Sequence, residues 1–342
     1  MSSDSSGPTQ QHMTVDAKED ENKSQFNQRT LELEEIGPDT YMSVDLWRPM
    51  GNRGVFGGQV IGQAMSAAAK TVENPFRCNS FHGYFLAAGN GEEMIAYEVR
   101  RTRQGRSFCS RLVLAKQGGR AIFIATASFQ VPEKSSLDHQ YAMPAVPPPE
   151  SLLSREEYIR RKQQRTNKRV VSVQQLDERD SLPVEGRIVP LKKNALGLPV
   201  KMMWLRAKGD MSELDLTHHQ AMLAYATDFG LISTASKPHI NNPTSPRPSM
   251  GMVVSLDHTI WFHESFRADD WLLYVMESPR AASGRGFAVG RIYRRDGVMV
   301  ASVAQEGVVR ASDTDKEYEP FEFSNKIDYV APGTSIRAKS KL

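Results

Sequence analysis

Residues 217–230 read THHQAMLAYATDFG, and the fold of the chain follows from what this stretch is and where its counterpart lies. Thr217 can accept from a backbone N–H three residues on while Gln220 reaches back, a capping box, and Gly230 suits a left-handed stop just past the end. Between them Ala221, Met222, Leu223, Ala224, Tyr225 and Ala226 are apolar nearly all round, as in a buried helix. Asp228 is out of place there. A carboxylate near the negative end of a helix dipole, beside Phe229 and after an apolar run, is disfavoured, which raises its pKa and its basicity. The segment alone leaves two readings open: a solvated Asp at a fraying helix end, or a perturbed base.

The counterpart is at residues 51–72, GNRGVFGGQVIGQAMSAAAKTV. Gly54, Gly57 and Gly58 precede Val60, Ile61, Ala64, Met65 and Ala68, an apolar stripe at helical spacing. The opposite side is small too, with Gly62, Ser66, Ala67 and Ala69, so this helix can lie close against a surrounding sheet. The GK[ST] of a phosphate loop is missing and the spacing is not G-x-G-x-x-G, which excludes both nucleotide motifs. Free N–H groups at a glycine-opened helix start suit an oxygen bearing negative charge, and tight packing explains the same glycines equally well.

Each helix is followed by strands. After the first come SFHGYFL, MIAYEVRRTRQG, RSFCSRLVLAKQGG and RAIFIATASFQ, with turns at Ala88 to Gly91, Gln104-Gly105 and Gly118-Gly119. After the second come VVSLDHTIWFH, WLLYVMESPRAASG, RGFAVGRIYRRDG and VMVASVAQEGVVR. His82 is echoed by His258, Gly105-Arg106-Ser107-Phe108 by Gly284-Arg285-Gly286-Phe287, Arg111 by Arg291, and Ala125-Thr126 by Ala301-Ser302. Such an echo is an internal repeat of one supersecondary unit. An α+β architecture follows: two antiparallel sheets, each wrapped around a central helix, a double hotdog. The expected division is a disordered tail at 1–28, an N-terminal unit at 29–131, a linker with a charged helix at 132–183, a C-terminal unit at 184–315 and a tail at 316–342. Residues 29–50 alternate as an entering strand and its turn would.

Composition bounds the function. The chain has 342 residues, 39% hydrophobic and 24% charged, and a net charge of +3, the profile of an ordinary globular protein. No apolar run approaches the ~20 residues of a membrane-spanning helix. The polar, acidic first 28 residues lack the apolar core of a secretory signal and the character of a mitochondrial presequence. Cys78 and Cys109 fit a reducing compartment and cannot build a metal cluster. The basic run RRKQQRTNKR at 160–169 has no interleaved aromatics, which favours a solvated helix over a nucleic-acid site. The final Ser-Lys-Leu at 340–342 is the address read by the peroxisomal import receptor, so the expected location is the peroxisomal matrix.

The stretches VFGGQVIGQAMSAAAKTV, SFHGYFLAAG, GRSFCSRLV, ATASFQ, LAYATDFGLIS, SLDHTIWFH, DDWLLYVMESPRAASGRGF and ASVAQEGVVR resemble the type II acyl-CoA thioesterases, over about residues 30–130 and 184–312. The long basic linker and the N-terminal tail depart from that pattern without touching the motifs. The resemblance implies hydrolysis of acyl-CoA to a fatty acid and coenzyme A, with no cofactor or metal. It also implies a catalytic set of an Asp after the second helix, a hydroxyl residue on the next strand and a Gln on the last strand. Carried over, these are Asp228, Ser255 and Gln305. The first repeat has Phe129 opposite Gln305 and the alanine-rich end of its helix opposite Asp228, so polar groups replace apolar ones in the second copy. Asp228 would act as general base, with Ser255 and Gln305 orienting the water. The helix start near Gly57 and Gly58 is the candidate donor to the developing oxyanion.

Other residues carry weaker chemistry. His258 and His263, five apart on a strand, face opposite sides, and His218 and His219 sit at a helix start. His82 and His258, at equivalent places, suggest a structural duty in both copies. The G-x-S-x-G elbow of serine hydrolases is absent. A hotdog enoyl-CoA hydratase using Asp257 and His258, and a non-catalytic acyl-CoA sensor, are the alternatives. Acyl-chain preference would be set by residues such as Met222, Phe229 and Trp261, and hotdog sheets extend edge to edge, so a homo-oligomer is expected.

Overall fold

The computed structural model describes residues 29–49, 54–166, 172–193, 199–240 and 249–312. The expected tails at 1–28 and 316–342, with the terminal Ser-Lys-Leu, and residues 167–169 of the basic run lie outside the described residues. The strands of the first half are β1 (Leu33–Gly37), β2 (Thr40–Ser43), β3 (Arg77–Phe85), β4 (Ala96–Gln104), β5 (Phe108–Gln117) and β6 (Arg120–Gln130). Those of the second are β7 (Val184–Lys193), β8 (Pro199–Ala207), β9 (Met250–Ser255), β10 (Asp257–Phe262), β11 (Leu272–Ala282), β12 (Arg285–Arg294) and β13 (Met299–Ala311).

These strands form one antiparallel sheet, ordered β1-β2-β4-β5-β6-β3-β10-β13-β12-β11-β8-β7, with β9 paired to β13. Where two sheets were expected, a single one runs through both halves. The seam is β3 on β10, with Phe81 opposite Ile260 and Gly83 opposite His258. Each half would otherwise end there in a row of open N–H and C=O groups, and pairing the two edges satisfies both. The stretch at 253–263, expected as one strand, breaks at Leu256: β9 pairs only with β13, and β10 bridges β13 to β3. The hairpin of β7 and β8 was not anticipated, because β8 is buried on both faces at Met202–Leu205 and so shows no alternation.

The sheet wraps two central helices, Gly57–Lys70 and Leu216–Thr227, which lie antiparallel against each other. Their approach is set by glycine. A Cβ on Gly62 would meet Leu31 Cδ2 at 2.7 Å and the Ala221 carbonyl at 3.0 Å, and one on Gly58 would overlap the Tyr225 carbonyl. The first helix is less apolar than its stripe suggests. Gln59 and Gln63 are fully buried and bond the Thr30 and Asp45 carbonyls, while the Tyr97 hydroxyl donates to Gln63 at 2.8 Å. One apolar core runs from Phe81, Phe123 and Phe129 through both helices to Tyr274 and Ile292.

The segment between the halves is a covering layer. Val189, Met202, Trp204, Leu273 and Val275 make a second core on the outer face, roofed by Met143, Val146 and Leu152. Trp204 Nε1 donates to the Pro147 carbonyl at 2.9 Å, and Arg295 pairs with Glu150 at 2.7 Å. The helices Arg155–Thr166 and Val173–Asp180 then cross toward the central pair, where Trp47 Nε1 donates to Glu178 at 2.8 Å.

The helix contact gives a direct test. Gly62→Val should lower stability by about 1–3 kcal/mol in chemical denaturation, despite its gain in helix propensity, because the Ala221 backbone cannot yield to the added bulk. Unchanged stability would show that the helices are not held this close.

Candidate active site

The second helix starts two residues earlier than the capping box suggests. Asp215 is the N-cap, and its Oδ1 accepts from the backbone N–H of Thr217 at 3.0 Å and of His218 at 3.2 Å. Thr217 therefore lies inside the first turn. Gln220, expected to reach back to it, donates instead to the Cys78 carbonyl at 2.7 Å and ties the helix to β3. The end is as read: Thr227 is the last helical residue, Asp228 is the C-cap, and Gly230 is left-handed at φ +79°. Thr227 gives its hydroxyl proton to the Ala224 carbonyl at 2.8 Å, so it accepts from His258 Nε2 at 3.0 Å. That makes His258 the neutral Nε2–H tautomer, in line with burial holding its pKa down at about 3.

Asp228, Ser255 and Gln305, drawn from three separate elements, meet at one point. Gln305 is fully buried on β13, and its amide nitrogen donates to Asp228 Oδ1 at 2.8 Å and to Ser255 Oγ at 2.8 Å. Its Oε1 has no hydrogen-bond partner among the described residues. Desolvation raises the Asp228 pKa, offset in part by the hydrogen bonds from Gln305 and from the Gly58 backbone N–H. The direction matches the sequence reading, while the main cause is burial and not the helix dipole.

The glycine-opened helix start serves this carboxylate. The Gly58 N–H is bonded to Asp228, and a Cβ on Gly57 would lie 2.9 Å from Asp228 Oδ2. Both readings of these glycines, anion donor and close packing, thus meet on one group. The anion is the protein's own, so Gly58 is not a free donor for an oxyanion. With one oxygen of Asp228 held by Gln305, the group can act as a base toward a small acid such as water, while Ser255 retains its own proton to donate.

The first half closes the matching position. Its helix is capped by Thr71, not by an alanine, and the buried Arg111 donates to the Thr71 hydroxyl at 2.8 Å and to its carbonyl at 3.0 Å. The echo of Arg111 by Arg291 fails on orientation: Arg111 points inward, whereas Arg291 points outward to Glu277 at 2.5 Å. The two histidines differ likewise, since His258 is buried and His82 is exposed, edge-on to Trp261. They share no structural duty. Asp257 accepts the Glu306 N–H at 2.7 Å, filling the break between β9 and β10, and points away from the buried His258, so no hydratase-like Asp and His pair forms.

The residues named for chain preference separate. Phe229 stacks on Phe56 with ring centroids 4.5 Å apart, beside Tyr225, while Trp261 faces out and Met222 lines a cavity of about 720 Å³ near Lys70, Asp215 and His218. That cavity lies at the opposite end of the second helix from Asp228. Sequence reasoning missed the aromatic cluster of Trp47, Phe56 and Tyr225 near Asp228, whose members are scattered along the chain and carry no spacing signal. Among the described residues, no three His, Cys, Asp or Glu side chains converge as metal ligands.

The family model described as acyl-CoA thioesterase matches residues 173–308, and that of the acyl-CoA thioesterase N-terminal domain matches residues 44–130. Acyl-coenzyme A thioesterase 8 of Rattus norvegicus is 42% identical over 287 residues, covering 82% of this chain and 88% of its own. Peroxisomal acyl-coenzyme A thioester hydrolase 1 of Saccharomyces cerevisiae is 27% identical, covering 84% and 95%. Among solved structures, the acyl-CoA thioesterase II TesB2 of Mycobacterium marinum superposes with a TM-score of 0.67 at 34% identity, over 83% of this chain and 98% of that one. A protein of Alicyclobacillus acidocaldarius described as having a hot dog fold superposes with a TM-score of 0.61 at 17% identity, over 83% and 98%. The fold is of the hotdog kind.

The raised pKa of Asp228 has a stability consequence with a definite sign. Ionising it costs more in the folded chain than in the unfolded one, so the cost is present above the folded pKa and absent below 3.8. Asp228→Asn should therefore gain stability relative to the parent as pH rises from 3.8 to 7, measured by chemical denaturation at several pH values. A gap that stays flat would contradict the burial account.

Proposed function

The chain belongs to the acyl-CoA thioesterase family, and on that premise we propose that it hydrolyses acyl-CoA to a free fatty acid and coenzyme A, with Asp228, Ser255 and Gln305 as the working groups. The observation that carries this reading is the Gln305 amide, which reaches both Asp228 and Ser255 at 2.8 Å. Gln305 spends both N–H groups on its two partners, so its Oε1 is left as an acceptor for a water proton, and the Ser255 hydroxyl can steady the water oxygen. Asp228 takes the water proton as the oxygen adds to the thioester carbonyl. The tetrahedral intermediate then collapses, the C–S bond breaks, and the Asp228 proton passes to the departing thiolate. Acid and thiol leave, and the carboxylate is restored. No protein nucleophile is needed, because a thioester carbonyl yields to a positioned water.

We read the fold as a double hotdog of units 29–131 and 184–315 joined by 132–183. The terminal Ser-Lys-Leu, with the name of the yeast relative, supports import into the peroxisomal matrix. Tyr84, Leu86 and Val254, each more than half exposed, support a homo-oligomer.

Asp228→Asn should lower kcat by about 10²–10⁴-fold while leaving acyl-CoA binding in place, scored by thiol release and by titration calorimetry. Gln305→Ala should lose about 10²-fold in kcat. Retained turnover in either variant would remove that residue from the mechanism. In the parent, kcat should fall on acidification with a midpoint above 3.8, since the base must be ionised and burial raises its pKa. Deleting Leu342 should leave a fluorescently tagged protein in the cytosol, and persistent peroxisomal signal would show that the address lies elsewhere.

A further inference from the structure

Asp228 is joined to the second helix through one peptide, and that peptide is gripped from the sheet. Thr227 is the last helical residue, so its carbonyl is among the final ones left without a partner inside the helix. The hydroxyl of Tyr274, on β11, donates to it at 3.0 Å. The Thr227 side chain is held as well, by His258 Nε2 on β10 at 3.0 Å, and it closes the Ala224 carbonyl at 2.8 Å. Thr227, His258 and Tyr274 are all fully buried. β10 and β11 flank the pair β13 and β12, so the two grips straddle the strand that carries Gln305. The Tyr274 ring lies over Gly290 of β12, where a Cβ would overlap it. A buried tyrosine hydroxyl needs a partner, and this one has taken the carbonyl next to Asp228.

The consequence reaches Asp228 in two ways. The Thr227 carbonyl and the Asp228 nitrogen share one rigid plane, so holding the oxygen restrains the backbone from which the Asp228 side chain departs. The donated proton also draws off partial negative charge from a carbonyl that would repel the carboxylate. Tyr274 stays neutral and able to donate, because burial, together with the charge of Asp228, holds its pKa well above the usual tyrosine value.

We propose that Tyr274 and His258 are positioning residues for thioester hydrolysis: through Thr227 they hold the Asp228 carboxylate against Gln305, a role that rests on the reading of Asp228 as the base. Gln305 on β13 and the Gly58 N–H of the first helix, which bond Asp228 directly, are uncharged. Tyr225, on its own helix, feels its charge. At the turn beyond, Arg155 stands over the Phe229 ring, and the Lys201 ammonium of β8 donates to the Gly230 carbonyl at 3.0 Å, with burial bringing its pKa down to about 7.

The test follows thiol release from lauroyl-CoA across pH, with the full chain and its Tyr274→Phe, Thr227→Val and Thr227→Ser variants. Thermal denaturation checks that each variant folds. Tyr274→Phe keeps the ring and removes the donor, so kcat should fall about tenfold with KM within about twofold of the parent. Its acid limb of kcat should move up by about half a pH unit, since the unrelieved carbonyl disfavours the ionised carboxylate. Thr227→Val should lose kcat to a similar degree, and Thr227→Ser, which keeps a hydroxyl for His258, should recover most of it. Parent-like kcat and acid limb in Tyr274→Phe overturn the role of Tyr274, and parent-like kcat in Thr227→Val overturns that of His258. A fall in kcat that follows lost thermal stability, with the acid limb unmoved, also overturns positioning. The base reading is judged apart, by carbon NMR of protein isotope-labelled at the aspartate carboxyls, with the Asp228 signal identified by its loss in Asp228→Asn. A higher titration midpoint for Asp228 in Tyr274→Phe supports the contact even where Asp228→Asn retains turnover and the base reading falls. An unshifted midpoint removes the contact.

Discussion

The close antiparallel contact of the two central helices is the constraint on which the rest depends. It exists because Gly58 and Gly62 present no side chain where the carbonyls of Tyr225 and Ala221 pass. With the helices this near, the start of the first is brought against the end of the second, and the Gly58 N–H meets the Asp228 carboxylate. Asp228 would otherwise face only the last carbonyls of its own helix, left without partners inside it, an arrangement that repels an anion. One end of the contact thus makes a buried carboxylate tolerable. The other end opens, between Ser66, Lys70, His218 and Met222, into the large cavity.

A buried carboxylate still needs partners, and the sheet provides them through its seam. Because β10 bridges β3 and β13 while β9 runs on alongside β13, Ser255 and Gln305 come from adjacent strands and point at the same helix end. The first half answers the same geometry differently. It fills the cap position with Thr71, closes it with the Arg111 guanidinium, and keeps Phe129 on β6 where the second half has Gln305. At this position the two halves therefore differ in a few inward-facing residues, apolar or capped in the first and polar in the second.

The segment between the halves belongs to this arrangement as much as the sheet does. Its early part roofs the second core through Met143, Val146 and Leu152. Its helices then reach the aromatic cluster beside Asp228, with Glu178 on Trp47 and Arg155 over Phe229. Arg155, just ahead of the basic run, sets a cation over the ring of Phe229, next to Asp228 in the chain.

The sequence alone determined the repeat, the two small-residue helices, the antiparallel meanders and the turn at Gly230, because each leaves a local signature of period, size or backbone freedom. It also supplied Asp228, Ser255 and Gln305, through a resemblance that spans both halves. What it could not supply was orientation. A slip of one residue turns a strand side chain to the other face, so the matched pairs His82 and His258, and Arg111 and Arg291, were aligned in the chain yet point opposite ways in the fold. It missed the β7–β8 hairpin, where burial on both faces erases alternation, and it expected two sheets because nothing local says which edges will meet. Only the tertiary structure decided that Asp228 is held by Gly58 and Gln305 and that Lys201 comes to rest beside it. Those contacts join residues from 29 to about 170 positions apart, and their energies come from burial and proximity, which no window of sequence contains.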